Sequence, residues 1–76
     1  MEWVVVLKRD CETCQLVTPV LGKLAQNASM KIYSQDDPAF PEELGGALDD
    51  TGLATSWSLG VETVPTLIRY ENGQEV

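Results

Sequence analysis

Two cysteines separated by two residues, directly after an apolar β-branched run, constrain the fold of this chain more than any other feature. Residues 2–8 contain the run Trp3-Val4-Val5-Val6-Leu7, without polar alternation, which predicts a strand covered on both faces. Asp10 is a good N-cap, so a helix is expected to begin at Cys11 or Glu12. Cys11-Glu12-Thr13-Cys14 would then occupy the first turn of a helix that follows a buried strand.

The rest of the chain predicts one α/β domain over residues 1–76, with the order β-α-β-α-β-β and a mixed central sheet. The first helix should carry its apolar side chains on one stripe, be kinked by Pro19 and end at Asn27. The members of that stripe are Val17, Val20, Leu21, Leu24 and Ala28. The first two strands, joined by this helix, are expected to run parallel.

The second half of the chain begins with an acidic loop over residues 35–50, in which residues 42–48 are expected to form one or two helical turns. Strands are predicted over residues 30–34 and 64–71. Between the loop and the later strand, Asp50 or Thr51 should cap a short helix that carries Trp57 as a packing residue and ends at Gly60. The turn signal Asn72-Gly73 predicts an antiparallel hairpin into a last strand over residues 74–76.

Composition excludes several classes of function. With two cysteines and no histidine, the chain offers neither a disulfide framework nor the four ligands of a self-contained zinc site, so we expect no metal and no cofactor. The net charge of −7 disfavours nucleic acid and anionic membrane surfaces as partners. The N-terminal residues lack the pattern of a signal peptide and no apolar stretch is long enough to span a membrane, so a cytoplasmic location is expected.

The spacing of Cys11 and Cys14 favours thiol–disulfide chemistry. Two intervening residues in a first helical turn bring the two sulfurs within bonding reach, and the free N–H groups of that turn stabilise a thiolate at Cys11. Cys11 is therefore the expected nucleophile, and Cys14, one turn deeper, the expected resolving thiol. The charges of Asp10 and Glu12 oppose that thiolate, whereas the nearby cations of Lys8 and Arg9 favour it.

The chain resembles the thioredoxin family in four features that occur in one order. These are the C-x-x-C motif, Pro19 five residues after Cys14, the segment Gly60-Val61-Glu62-Thr63-Val64-Pro65-Thr66-Leu67, and Asn72-Gly73. The resemblance implies a thioredoxin-like fold, here without the family's final helix, and a thiol–disulfide oxidoreductase. It also implies that Val64, Pro65 and Thr66 bind substrate, with Pro65 in the cis form against the cysteines and the Val64 backbone pairing with a substrate strand. The implied partners are disulfide-containing proteins, and an upstream thiol reductase or glutathione.

Departures from the family pattern leave two alternatives open. Asp10 replaces the usual Trp, Val5 replaces a usual buried acid, and residues 35–50 form a longer connection than usual. The short N-terminal part, together with Lys8 at the position of a glutathione-binding lysine, favours a glutathione-dependent, glutaredoxin-like protein. The departures at Asp10 and Val5 favour a redox-inactive binding domain that reuses the fold.

Overall fold

The apolar run near the N-terminus forms the central strand of a five-stranded mixed sheet in the order β3-β2-β1-β4-β5. The computed structural model describes residues 2–26, 28–71 and 74–75. The elements, in chain order, are β1 (Glu2–Leu7), α1 (Glu12–Ala25), β2 (Ser29–Ser34), a 3₁₀ helix (Glu42–Leu44), β3 (Leu48–Asp49), α2 (Ala54–Leu59), β4 (Thr66–Glu71) and β5 (Gln74–Glu75).

Strand β1 is buried on both faces, as its apolar sequence predicts. Val4, Val5, Val6 and Leu7 are all buried. β1 pairs in parallel with β2 and antiparallel with β4, and β4 pairs antiparallel with β5. The α/β class, the mixed sheet and the directions of these strands are confirmed, while Asn72-Gly73 lies outside the described residues.

The N-cap of helix α1 lies one residue later in the chain than the sequence predicts. The N-cap is Cys11, whose backbone is extended and whose sulfur accepts the N–H of Cys14. Asp10 lies one residue before the cap, with its side chain exposed and its backbone N–H bound to the carboxylate of Asp36. The helix continues through Pro19 and ends at the C-cap Gln26, and the expected stop at Asn27 lies outside the described residues.

The buried stripe of α1 is displaced from the predicted one. The buried residues are Cys14, Thr18 and Leu21, and Val17 and Leu24 pack beside them. Val20 is 57% exposed, contrary to the prediction, because each residue advances about 100° around the helix and Val20 falls outside the stripe centred on Leu21. The core formed with β1 also includes Phe40.

Residues 35–50 contain a strand where the sequence predicted only loop and helical turns. The 3₁₀ helix ends at Gly45, and both Gly45 and Gly46 have positive φ angles, of 83° and 88°. Residues with such angles cannot continue a right-handed helix, so the chain turns and Leu48–Asp49 joins the edge of the sheet beside β2. The Phe40–Pro41 bond is cis, a feature that the sequence analysis missed.

The short helix α2 ends at Gly60, as the sequence predicts, but its N-cap position is Leu53 and not the predicted Asp50 or Thr51. The carboxylate of Asp50, which is 3% exposed, accepts the backbone N–H groups of Thr55 and Ser56 and the Ser56 hydroxyl. Leu53 holds the N-cap position, and Gly60, in the left-handed region, ends the helix. Trp57 is 88% exposed, so its predicted role as a packing residue is wrong.

Candidate active site

The two cysteines lie where β1 gives way to α1, with different exposure to solvent. The Cys11 side chain is half-buried, and its sulfur accepts the backbone N–H of Cys14 at 3.2 Å. Cys14 is fully buried against β1. Both are free thiols. Of the two cysteines, only Cys11 can therefore be approached from outside, and its sulfur lies at the N-terminal end of α1, where the helix dipole is positive.

Burial keeps the Cys14 thiol protonated at neutral pH. Loss of hydration, and next the hydrogen bond with Cys11, raise the pKa of Cys14 to about 12. The backbone N–H of Lys8 opposes this shift, and the charge of Asp36 adds a smaller contribution in the same direction as burial. Cys14 is therefore a poor nucleophile in the folded dithiol, which agrees with its expected place as the second thiol to react.

The segment before β4 supplies the other wall of the site. The thiol of Cys11 lies 3.9 Å from the backbone carbonyl oxygen of Val64, 53 residues away along the chain. The Val64–Pro65 bond is cis, as the resemblance implies. Val64, Pro65 and Thr66 are half-buried, and the Thr66 hydroxyl donates to the carbonyl of Thr63. The structure thus brings the expected substrate-binding segment to the expected nucleophile.

Asp36 holds the backbone just before Cys11, and the sequence analysis assigned it no role. Its two carboxylate oxygens accept the N–H groups of Arg9 at 2.7 Å and of Asp10 at 3.0 Å, and the Ser34 hydroxyl donates to it at 3.3 Å. Burial alone would raise the pKa of Asp36, but the Asp10 and Arg9 amides outweigh it and hold that pKa below its ordinary value. The sequence did carry a signal for this contact, because Asp36 closely follows the predicted strand 30–34, which is expected to run parallel to the first strand. Parallel neighbouring strands end at the same edge of a sheet, so a carboxylate there is expected near the residues that follow the first strand.

The guanidinium of Arg9 is bound by carboxylates of the acidic connection, residues 35–50. It binds the carboxylates of Asp37, at 2.6 Å, and of Glu42, and it lies over the Phe40 ring with 5.2 Å to the ring centroid. The hydrogen bonds with Glu42 and Asp37 raise the pKa of Arg9. The bond between Arg9 and Glu42 also lowers the pKa of Glu42. The connection is therefore tied to the site, and the charge of Arg9 is already balanced by two carboxylates.

Three other charged residues, Lys8, Asp10 and Glu12, were expected to modulate the reactivity of the Cys11 thiol. Asp10 and Glu12, on either side of Cys11, are exposed, and Lys8 is half-buried after the end of β1. Within the described ranges 2–26, 28–71 and 74–75, no three Cys, Asp or Glu side chains are grouped to hold a metal ion. Neither described helix has the length and apolar content that a membrane span requires.

No family model, no curated protein and no solved structure matches this chain.

Proposed function

We propose that this chain is a thioredoxin-like thiol–disulfide oxidoreductase that reduces or exchanges disulfides in protein substrates. The observation that carries the proposal is the asymmetric cysteine pair. A half-exposed Cys11 sulfur sits at the N-cap of a helix, bonded to the N–H of Cys14, whose own thiol is fully buried one turn away. Such a pair separates the two tasks of disulfide exchange between an accessible sulfur and a protected one.

The proposed reaction uses only the two thiols. The Cys11 thiolate attacks one sulfur of a substrate disulfide, that bond breaks, and the released substrate thiolate takes a proton. The Cys11 sulfur is then joined to the substrate as a mixed disulfide. Cys14 loses its proton and attacks the Cys11 sulfur, so that a Cys11–Cys14 disulfide forms and the second substrate thiol leaves. The substrate gains two electrons and the cysteine pair loses two.

The sheet supports the same assignment. The order β2-β1-β4-β5, with β1 parallel to β2 and antiparallel to β4, is compatible with a thioredoxin-like fold. In this arrangement the Val64 carbonyl lies beside the Cys11 sulfur, where an extended substrate backbone would pass. A substrate strand next to Val64 would present its disulfide to Cys11.

The charges around Cys11 favour protein disulfides over glutathione. Exposed Asp10 and Glu12 flank the nucleophile, and the guanidinium of Arg9 is occupied by Asp37 and Glu42. The two exposed carboxylates, against the single cation of Lys8, therefore slow the approach of an anionic disulfide such as oxidised glutathione relative to a neutral or cationic one. The reductant that returns the pair to the dithiol is, in this proposal, an upstream thiol reductase or glutathione in a cytoplasmic setting.

The test compares single-turnover reduction of an insulin-type protein disulfide by the reduced wild type and by two serine variants. Cys11→Ser should abolish reduction, because it removes the accessible sulfur. Cys14→Ser should accumulate a mixed disulfide, seen by intact mass, because nothing resolves it. Full activity of the Cys11→Ser variant would contradict the assignment of the nucleophile.

Two further outcomes distinguish the alternative functions. Faster reaction with oxidised glutathione than with a neutral small disulfide at low salt would favour a glutaredoxin-like protein. Absence of any disulfide exchange by the wild type, across the range of glutathione buffers, would favour a binding domain. A variant with both cysteines replaced by serine would then be expected to keep its binding partner.

A further inference from the structure

Asp36 lies beyond the end of β2 yet binds the two residues that lead into the first helix. We propose that Asp36 is a positioning residue, which fixes the turn entering α1 and thereby sets the reactivity and the redox midpoint of the Cys11–Cys14 pair. The inference deepens the proposed function and rests on it for the exchange reaction. The expected effect on the midpoint of the Cys11–Cys14 disulfide does not depend on the proposed function.

The parallel pairing of β1 and β2 delivers Asp36 to this place. Leu7 and Ser34 are partners at the end of the register, and the N–H of Gln35 donates to the carbonyl of Leu7 at 2.9 Å. The residues that follow β2 therefore lie beside the residues that follow β1. One step further along, Asp36 faces the peptide groups of Arg9 and Asp10 and accepts both of their N–H groups.

The peptide unit that Asp36 holds is held from its other side as well. The carbonyl of Arg9 accepts the N–H of Cys11 at 2.8 Å and the side-chain amide of Gln15 at 2.8 Å. With its N–H bound to Asp36 and its carbonyl bound to α1, Arg9 has little freedom to rotate. The direction in which the chain reaches Cys11 is therefore determined by these bonds, and with it the distance from the Cys11 sulfur to Cys14.

A carboxylate suits this position better than any neutral side chain. Its two oxygens accept two successive amides, and bonds from N–H groups to an ionised acceptor are the stronger kind. Asparagine has one acceptor oxygen, and its amide group would face an N–H donor. Alanine has no acceptor and would leave both amides to water.

The test measures the midpoint of Cys11–Cys14 disulfide formation in glutathione buffers, by intact mass, for the wild type, Asp36→Asn and Asp36→Ala. With the turn released, the sulfurs spend less time at bonding distance. We expect the disulfide formation constant of Asp36→Ala to fall about tenfold, which equals a midpoint about 30 mV more oxidising. Asp36→Asn should fall between the other two. Single-turnover exchange with a neutral disulfide should slow by about the same factor in Asp36→Ala.

Asp37→Asn is the matched control. It removes the same charge from the neighbouring residue, but Asp37 binds the side chain of Arg9 and not its peptide group. Its midpoint should stay at the wild-type value. A substitution that merely weakens the fold lowers the stability of the reduced and oxidised forms alike and does not move the midpoint either.

The outcomes separate this inference from the proposed function. A wild-type midpoint in both Asp36 variants, or an equal shift in Asp37→Asn, would overturn the positioning role. If Asp36→Ala fails to fold by circular dichroism, Asp36→Asn decides. A wild type that forms the disulfide but reduces no substrate would overturn the proposed function, and the midpoint shift would still support the positioning role. A wild type that forms no disulfide at any potential would overturn both.

Discussion

Selective alkylation of the two thiols tests the asymmetry on which the proposed chemistry depends. In the folded dithiol the pKa of Cys14 is about 12, against an ordinary value of 9.0, chiefly because the side chain is buried. At about pH 8, the thiolate fraction of Cys14 is then about 10⁻⁴, whereas an unfolded cysteine with the ordinary pKa of 9.0 is about one-tenth ionised. The thiolate is the species that reacts, so folding should slow alkylation of Cys14 by about a thousandfold or more.

The measurement uses iodoacetamide with the Cys11→Ser variant, in which Cys14 is the sole thiol. Its labelling rate is followed by intact mass in buffer and in urea. Burial, the largest cause of the raised pKa, persists in this variant, so the slow rate in buffer should persist as well. The reduced wild type in buffer should take up one label, on Cys11.

The Cys14→Ser variant provides the control, because its single thiol is half-exposed and should label in buffer without unfolding. Labelling of Cys14 in buffer at a rate within about tenfold of that in urea would refute the reasoning, since it would require an accessible and ionised thiol. The order of attack in the proposed reaction would then lose its structural basis.

The same burial makes the stability of the reduced form depend on pH. The pKa of Cys14 is raised on folding, so the stabilisation is complete below the ordinary thiol pKa. The free energy of unfolding should fall by up to about 1.4 kcal/mol per pH unit as the pH rises from about 9 toward 12, as measured by urea unfolding, and Cys14→Ser should remove this dependence. Asp50→Ala should lower the free energy of unfolding by about 2 kcal/mol, because three donors lose a buried acceptor, and a value below about 0.5 kcal/mol would contradict the cap. Gly46→Ala should be more destabilising than Gly45→Ala in thermal unfolding, because both residues have positive φ but only at Gly46 would a Cβ meet the Pro38 carbonyl oxygen at 2.8 Å. Equal losses would show that the contact is relieved by a small shift.

Local patterns predicted those parts of the fold whose causes lie within a few residues. The apolar run of β1 specifies a strand buried on both faces, and Gly60 specifies the end of α2 because it adopts a positive φ angle at no steric cost. Cys11-x-x-Cys14 places both sulfurs in one helical turn. The spacing of these signals along the chain is enough to predict an α/β domain and its cysteine pair.

Other features were decided by contacts between distant residues. Cys11, not Asp10, is the N-cap of α1, and the Asp10 amide is bound by Asp36. Arg9, expected to assist Cys11, is instead bound to Asp37 and Glu42. These partners lie 26 to 33 residues apart along the chain. Only the parallel register of β1 and β2 brings them to one edge of the sheet.

The features that the sequence predicts and those that only the tertiary structure decides differ in the range over which their physical causes act. Periodicity, turn residues and helix caps act over a few positions, so the sequence alone determined strands β1, β2 and β4, helix α1 and the place of both thiols in one turn. Burial, hydrogen bonding and pKa depend on what packs from elsewhere in the chain. The tertiary structure alone therefore decided that the pKa of Cys14 is raised, that the Val64 carbonyl lies beside Cys11, and that Asp36 binds the turn leading into α1.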